Sequence, residues 1–91
     1  MSKHSNRIKS EQLKMSFGKA NCRLRKMILF HLVKKCNLDV CYRCNKKIEK
    51  IEDLSIEHKQ DWLNSKNPVE LFFDLQNISF SHLKCNVSNR V

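Results

Sequence analysis

Glycine and proline are almost missing from this chain; each occurs once, as Gly18 and Pro68. A turn-rich β-sandwich or barrel draws heavily on both, so those architectures fit poorly, and so does low-complexity sequence. No segment repeats. The longest apolar stretch, Met27 to Val33, is broken by His31 and falls far short of the ~20 residues a membrane span needs. Acid is scarce: 9 Asp and Glu stand against 18 Lys and Arg, a net +9 at pH 7. A hydrophobic content of 41% is still too high for a disordered tail, and 91 residues amount to one domain with a modest core. Chains this small commonly add a metal or disulfides to their hydrophobic stability. The 5 cysteines are an odd number, and the first residues are polar rather than a hydrophobic signal. Both features favour a reducing, cytoplasmic setting, where cysteine serves as a metal ligand or a small buried hydrophobe, with no membrane partner.

The positive charge is concentrated. From Met1 to Ile48, 13 basic side chains face only Glu11 and Asp39, a net +11; from Glu49 onward 5 basic residues face 7 acids, a net −2. Such a surface suits a polyanion, with nucleic acid leading, because Lys and Arg that neutralise phosphates release condensed counterions. A solubilising surface, or attraction to anionic lipid, would use the same charges. Residues 1–10 show no period and read as a flexible basic arm, with Ser10 placed to cap a short helix through Met15. Residues 11–38 read as a basic helical region. Between Lys19 and Lys35, Leu24, Ile28 and Leu32 recur every fourth position, widened by Met27, Leu29, Phe30 and Val33, the pattern of a core-packing helix. Arg23, Arg25, Lys26, Lys34 and Lys35 fall mainly off that stripe and are the candidate contacts to a duplex DNA backbone. Cys22 and Cys36 lack ligand spacing and read as structural cysteines.

Residues 39–91 carry the chemistry. Val40–Asn45 has the composition of a tight turn. Leu54–His58 alternates, placing Leu54, Ile56 and His58 on one strand face and Ser55 and Glu57 on the other. Asn64–Pro68 is a loop whose proline suits the first turn of a short helix through Phe73. A second strand holds Ile78 and Phe80, and Ser81 is a plausible cap for a last helix bearing His82, Cys85, Asn86 and Asn89. Cys41-x-x-Cys44 and His82-x-x-Cys85 are two pairs at the spacing from which a knuckle or helix start presents both ligands to one tetrahedral Zn²⁺. With all four positions filled by protein, such a zinc is structural. Glu57-His58 sets a proton acceptor beside a ligand for a hard divalent ion, and the strand must end or bulge there for both to reach one site.

In the order Cys41-x-x-Cys44, Ser55-Ile56-Glu57-His58, Leu75-Gln76-Asn77-Ile78, His82-x-x-Cys85-Asn86, the chain resembles the HNH nuclease family, over most of residues 40–90. The resemblance implies an α+β protein in which the N-terminal basic helical region precedes a zinc-stapled, treble-clef-like ββα-metal unit. It implies His58 as general base, and Asn77 holding the loop between the strands and orienting His58. Asn86, or its neighbour Asn89, and Glu57, where most members carry Asp, would be ligands of a catalytic Mg²⁺, Mn²⁺ or other divalent ion. His82 stands where the third zinc cysteine is usual. The implied activity is metal-dependent hydrolysis of DNA phosphodiester bonds with low sequence specificity. One site cuts one strand at a time, so nicking is the elementary event; a double-strand break takes two chains or two visits. A homodimer or a larger phage or bacterial complex is compatible with that. Two other readings use the same residues: a non-catalytic zinc-stabilised DNA-binding module, and a treble-clef protein adaptor.

Overall fold

With one glycine in the chain, left-handed backbone falls to other residues, and those positions punctuate the fold. The computed structural model describes residues 3–88. Helix α1 (Lys3–Leu13) closes on Lys14 at φ 59°, where the Lys14 N–H donates to the Glu11 carbonyl and the Met15 N–H to the Ser10 carbonyl. Helix α2 (Phe17–Lys35) closes in the same way on Asn37 at φ 58°, with N–H donations from Asn37 to Lys34 and from Leu38 to Val33. This paired pattern is the Schellman motif, which satisfies carbonyls a helix end would otherwise leave bare. At the start of α2 the Ser16 hydroxyl accepts from Lys19 N–H, and the Ser10 hydroxyl accepts from Phe17 N–H. Ser10 therefore sits inside a helix and caps the following one, and Lys3–Ser10 is helical where an irregular arm was the expectation.

The chain divides into two compact units, Met1–Leu32 and Val33–Val91, with the boundary inside α2. In the first unit the stripe of α2 is not a core: Leu24, Ile28 and Leu32 are 53, 50 and 50% exposed, and among its described residues α2 buries only Val33. The periodicity made the helix without supplying a surface to cover it. Cys22 and Cys36 are exposed thiols, not buried packing residues. No helix among the described residues is long and apolar enough to cross a membrane.

The second unit holds the sheet. Strands β1 (Leu54–His58) and β2 (Ile78–His82) pair antiparallel, with Leu54 opposite His82 and His58 opposite Ile78, and without a bulge. Between them lies α3 (Pro68–Phe73), with Pro68 in its first turn as its fixed φ favours. Helix α4 (Leu83–Ser88) follows β2 directly and packs on both strands. The architecture is thus α+β, with four α-helices and a two-stranded sheet among the described residues. Ser81 belongs to β2 and does not cap α4; its hydroxyl donates to Glu57. Alternation along β1 is as the sequence implies, but burial does not follow the apolar face: Leu54 and Glu57, on opposite faces, are the buried pair. Glu57 is 2% exposed and Ser81 fully buried, whereas Ile56 is 50% exposed.

Candidate metal centre and histidine site

The first pair of candidate zinc ligands comes from a short hairpin. Val40 and Lys47 bridge, Cys41 N–H donates to the Lys46 carbonyl, and Asn45 turns the chain at φ 62°. This geometry directs the Cys44 N–H at the Cys41 sulfur, 3.4 Å away. A backbone bond from Tyr42 N–H to the Phe80 carbonyl, 2.9 Å, lays the hairpin against β2, and the β2–α4 junction brings His82 and Cys85. The ligand atoms of Cys41, Cys44, His82 and Cys85 all lie within 4.8 Å of one another. Zn–S bonds of about 2.3 Å imply tetrahedral edges of roughly 3.7 Å, so three thiols and one imidazole at this separation suit Zn²⁺. His82 Nδ1 lies 3.4 Å from the Cys44 sulfur, while its Nε2 is 3.1 Å from the Lys47 carbonyl. A carbonyl only accepts, so Nε2 carries the proton and Nδ1 presents its lone pair to the metal, the orientation that ligating histidines obtain from a backbone partner.

The sulfurs are electrostatically unequal. Burial pushes the Cys41 thiol up, but N–H groups of Cys44, His82 and Arg43, with the His82 ring, outweigh it and bring it down to about 5. Cys85 is pushed up to about 11 by burial and by the neighbouring Cys41 and Cys44 sulfurs. Crowded thiols of this kind ionise together only when a cation neutralises them, and zinc binding to the set would release protons. The other strongly placed carboxyl of this region is Asp39, 3.4 Å from Lys34 and 3.8 Å from Lys47. Burial raises it, yet its own backbone N–H, the Lys34 hydrogen bond and the two lysine charges win and hold it below the ordinary aspartate value. Lys34 also donates to the Ile48 carbonyl at 3.3 Å. It thus ties the α2 end to the hairpin, a structural task the sequence reading did not give it, whereas Arg23, Arg25 and Lys35 are exposed.

His58 closes β1 and is held from the far side of the loop. Its Nε2 lies 3.0 Å from the Phe72 carbonyl, and its ring packs on Phe72 at 4.9 Å and near Trp62 at 6.4 Å. The carbonyl again fixes the proton on Nε2, which leaves Nδ1 as the basic atom of the neutral ring. The Asn77 side chain bonds to other groups than His58. Its Oδ1 accepts from Gln60 N–H at 2.8 Å, and its Nδ2 donates to the Gln60 and Leu71 carbonyls at 3.0 and 3.1 Å. Its own carbonyl accepts from Lys59 N–H at 2.7 Å. Asn77 thus hydrogen-bonds the segment between the strands at Gln60 and at Leu71, the residue before the Phe72 whose carbonyl meets His58. Phe72 and Trp62 are the residues missed in the sequence, where nothing marked them beyond an aromatic pair near the motif.

Glu57 and His58 leave β1 on opposite faces, because the strand keeps its register to the end. The Glu57 carboxylate accepts from Arg43 Nε at 2.8 Å and from Ser81 Oγ at 3.0 Å. Asn86, on α4, donates through Nδ2 to Ser55 Oγ and to the Ile56 carbonyl, both at 3.2 Å, which fastens α4 to β1. Ser79, directly opposite Glu57, has a buried hydroxyl without a hydrogen-bond partner. A buried carboxylate beside an unpartnered oxygen is a donor set that suits a hard divalent cation, and here the Arg43 guanidinium is the cation in place. Asn89 lies outside the described residues. Among the described residues, the Cys41–Cys44–His82–Cys85 set is the one cluster of cysteine, histidine and acidic side chains close enough to share an ion. Compared with protein-family models, with curated proteins and with solved structures, the chain matches none.

Proposed function

We propose that the chain is a zinc-stabilised endonuclease of the HNH type that nicks duplex DNA with low sequence specificity. The observation that carries this reading is the clamp on His58: Phe72 fixes the tautomer and the ring, Asn77 fixes the loop, and Nδ1 is left basic. A general base must be held in one protonation state within reach of the proton it removes. His58 Nδ1 takes a proton from water, the water oxygen bonds to phosphorus, the P–O3′ bond breaks, and the 3′ oxygen is protonated from solvent. Glu57 and Asn86 are the residues that would hold a Mg²⁺ or Mn²⁺ ion, whose charge would stabilise the phosphate in the transition state. Arg23, Arg25, Lys26 and Lys35 supply the cations for backbone contacts, which position a duplex without reading its sequence.

A second reading, a zinc-stabilised DNA-binding module without catalysis, is favoured by one observation: Glu57 and His58 point apart while Arg43 occupies the carboxylate. Plasmid nicking in Mg²⁺ and in Mn²⁺ separates the two. Under the nuclease reading, His58→Ala folds, binds DNA as the unmodified chain does, and loses about 10²–10⁴-fold in nicking rate. A zinc-loaded chain that binds duplex DNA and cuts it in neither metal is the binding module.

A further inference from the structure

A buried carboxylate keeps its charge in a folded protein only while a counter-charge compensates it. Glu57 is 2% exposed, and the compensating group is Arg43, whose side chain is 34% exposed and so reachable from solvent. Arg43 stands in the hairpin between Cys41 and Cys44, two of the four residues whose ligand atoms lie together. Guanidinium groups pair with phosphate as readily as with carboxylate, in both cases through charge-assisted hydrogen bonds. The Ser79 hydroxyl, buried and unpartnered across the sheet from Glu57, is an oxygen that the ion pair leaves unused.

We infer that Arg43 is a removable cation: it holds Glu57 in the free protein, and yields the carboxylate to a divalent ion once a phosphate group draws the guanidinium away. Divalent-ion binding is then conditional on the presence of a polyanion, and by linkage the ion strengthens the hold on that polyanion to the same degree. The inference rests on the nuclease reading only in taking the phosphate to be that of DNA.

The test measures Mn²⁺ binding to the zinc-loaded full chain, without DNA, from the electron paramagnetic resonance signal of the free ion. The unmodified chain and Arg43→Lys, which both keep a cation, are expected to bind Mn²⁺ weakly. Arg43→Gln is expected to bind it at least tenfold more tightly, and Arg43→Gln combined with Glu57→Gln to lose that gain. No gain in Arg43→Gln, or a gain that survives the second substitution, overturns the inference. If Arg43→Gln fails to fold, the unmodified chain is titrated with Mn²⁺ in sulfate and in chloride at equal ionic strength. Sulfate, a tetrahedral dianion like phosphate, should tighten Mn²⁺ binding several-fold, and equal affinity in the two salts overturns the inference. Nicking by the unmodified chain without any Mn²⁺ gain removes the Arg43 device and leaves the nuclease reading. A Mn²⁺ gain without nicking keeps the device and removes the nuclease.

Discussion

Among the described residues four non-glycine residues hold positive φ, and three of them, Asn37, Asn45 and Asn64, are asparagines. Asparagine is the side chain that best tolerates the left-handed region, so the scarcity of glycine is met by a residue-level substitution with a clear steric basis. The one glycine sits elsewhere. Gly18 lies inside α2 without positive φ, and a Cβ there would meet nothing within 4 Å. Gly18→Ala should therefore raise the unfolding free energy by about 0.5 kcal/mol, mainly by restricting the unfolded chain, a gain that urea denaturation resolves; a loss would mean the position is not an ordinary helical one. Asn77 is the opposite case. It is 7% exposed and serves one donor and two acceptors of the backbone. Asn77→Ala strands those groups and should cost about 2–3 kcal/mol, and Asn77→Asp, which keeps the bond from Gln60 N–H but sets a carboxylate oxygen against the two carbonyls, should also destabilise. If both variants melt like the parent chain, the loop does not depend on this residue.

At the scale of elements, what was legible followed from local chemistry. The Cys41/Cys44 and His82/Cys85 spacings placed four ligands, Pro68 placed α3, and the alternation of Leu54–His58 placed β1 with its two faces. What was not legible depended on partners distant in sequence. Alternation could not show that Glu57 and Ser81 are covered while Ile56 is not, because that burial is made possible by Arg43 and Ser81 donating to Glu57, and Asn86 to Ser55, across 14 to 31 residues of chain. The stripe of α2 was legible as a helix but not as an exposed one, since periodicity carries no information about what covers it. Nor could sequence show that Lys34, counted among the DNA contacts, is drawn to Asp39. That last pairing carries a pH dependence. Asp39 is lower in the folded chain than in the unfolded one, so its contribution is fully present above the unfolded aspartate value of roughly 3.9 and is lost as pH falls through the folded value. The stability gap between the parent chain and Asp39→Asn, from urea denaturation, should be widest near neutral pH and close in acid. A gap of the same size at pH 3 would contradict the pairing.

Across the molecule, the buried side chains show how little apolar core there is to hold the second unit. Among the described residues the apolar ones are Val33, Cys41, Ile48 and Leu54, all in the second unit, and Cys41 is itself a candidate metal ligand; beside them Asp39, Glu57, Asn77, Ser81 and Asn86 are buried and polar. Polar networks of this kind fix geometry more than they add net stability, because each bond replaces one to water. A core of this size supplies no more than about 3–5 kcal/mol, whereas structural zinc in small domains contributes on the order of 10 kcal/mol or more at neutral pH. The metal term wins, so removing zinc should unfold the second unit rather than loosen it. Its single tryptophan, Trp62, packed against Phe72 at 5.1 Å, reports the outcome in near-ultraviolet circular dichroism. Chelation should release one zinc per chain and abolish that signal together. Cys41→Ser should reproduce the loss without chelator, and His82→Cys, which completes a four-thiolate set, should retain both zinc and signal. If zinc leaves while the Trp62 signal persists, the polar network holds the unit by itself and the cluster is not its staple.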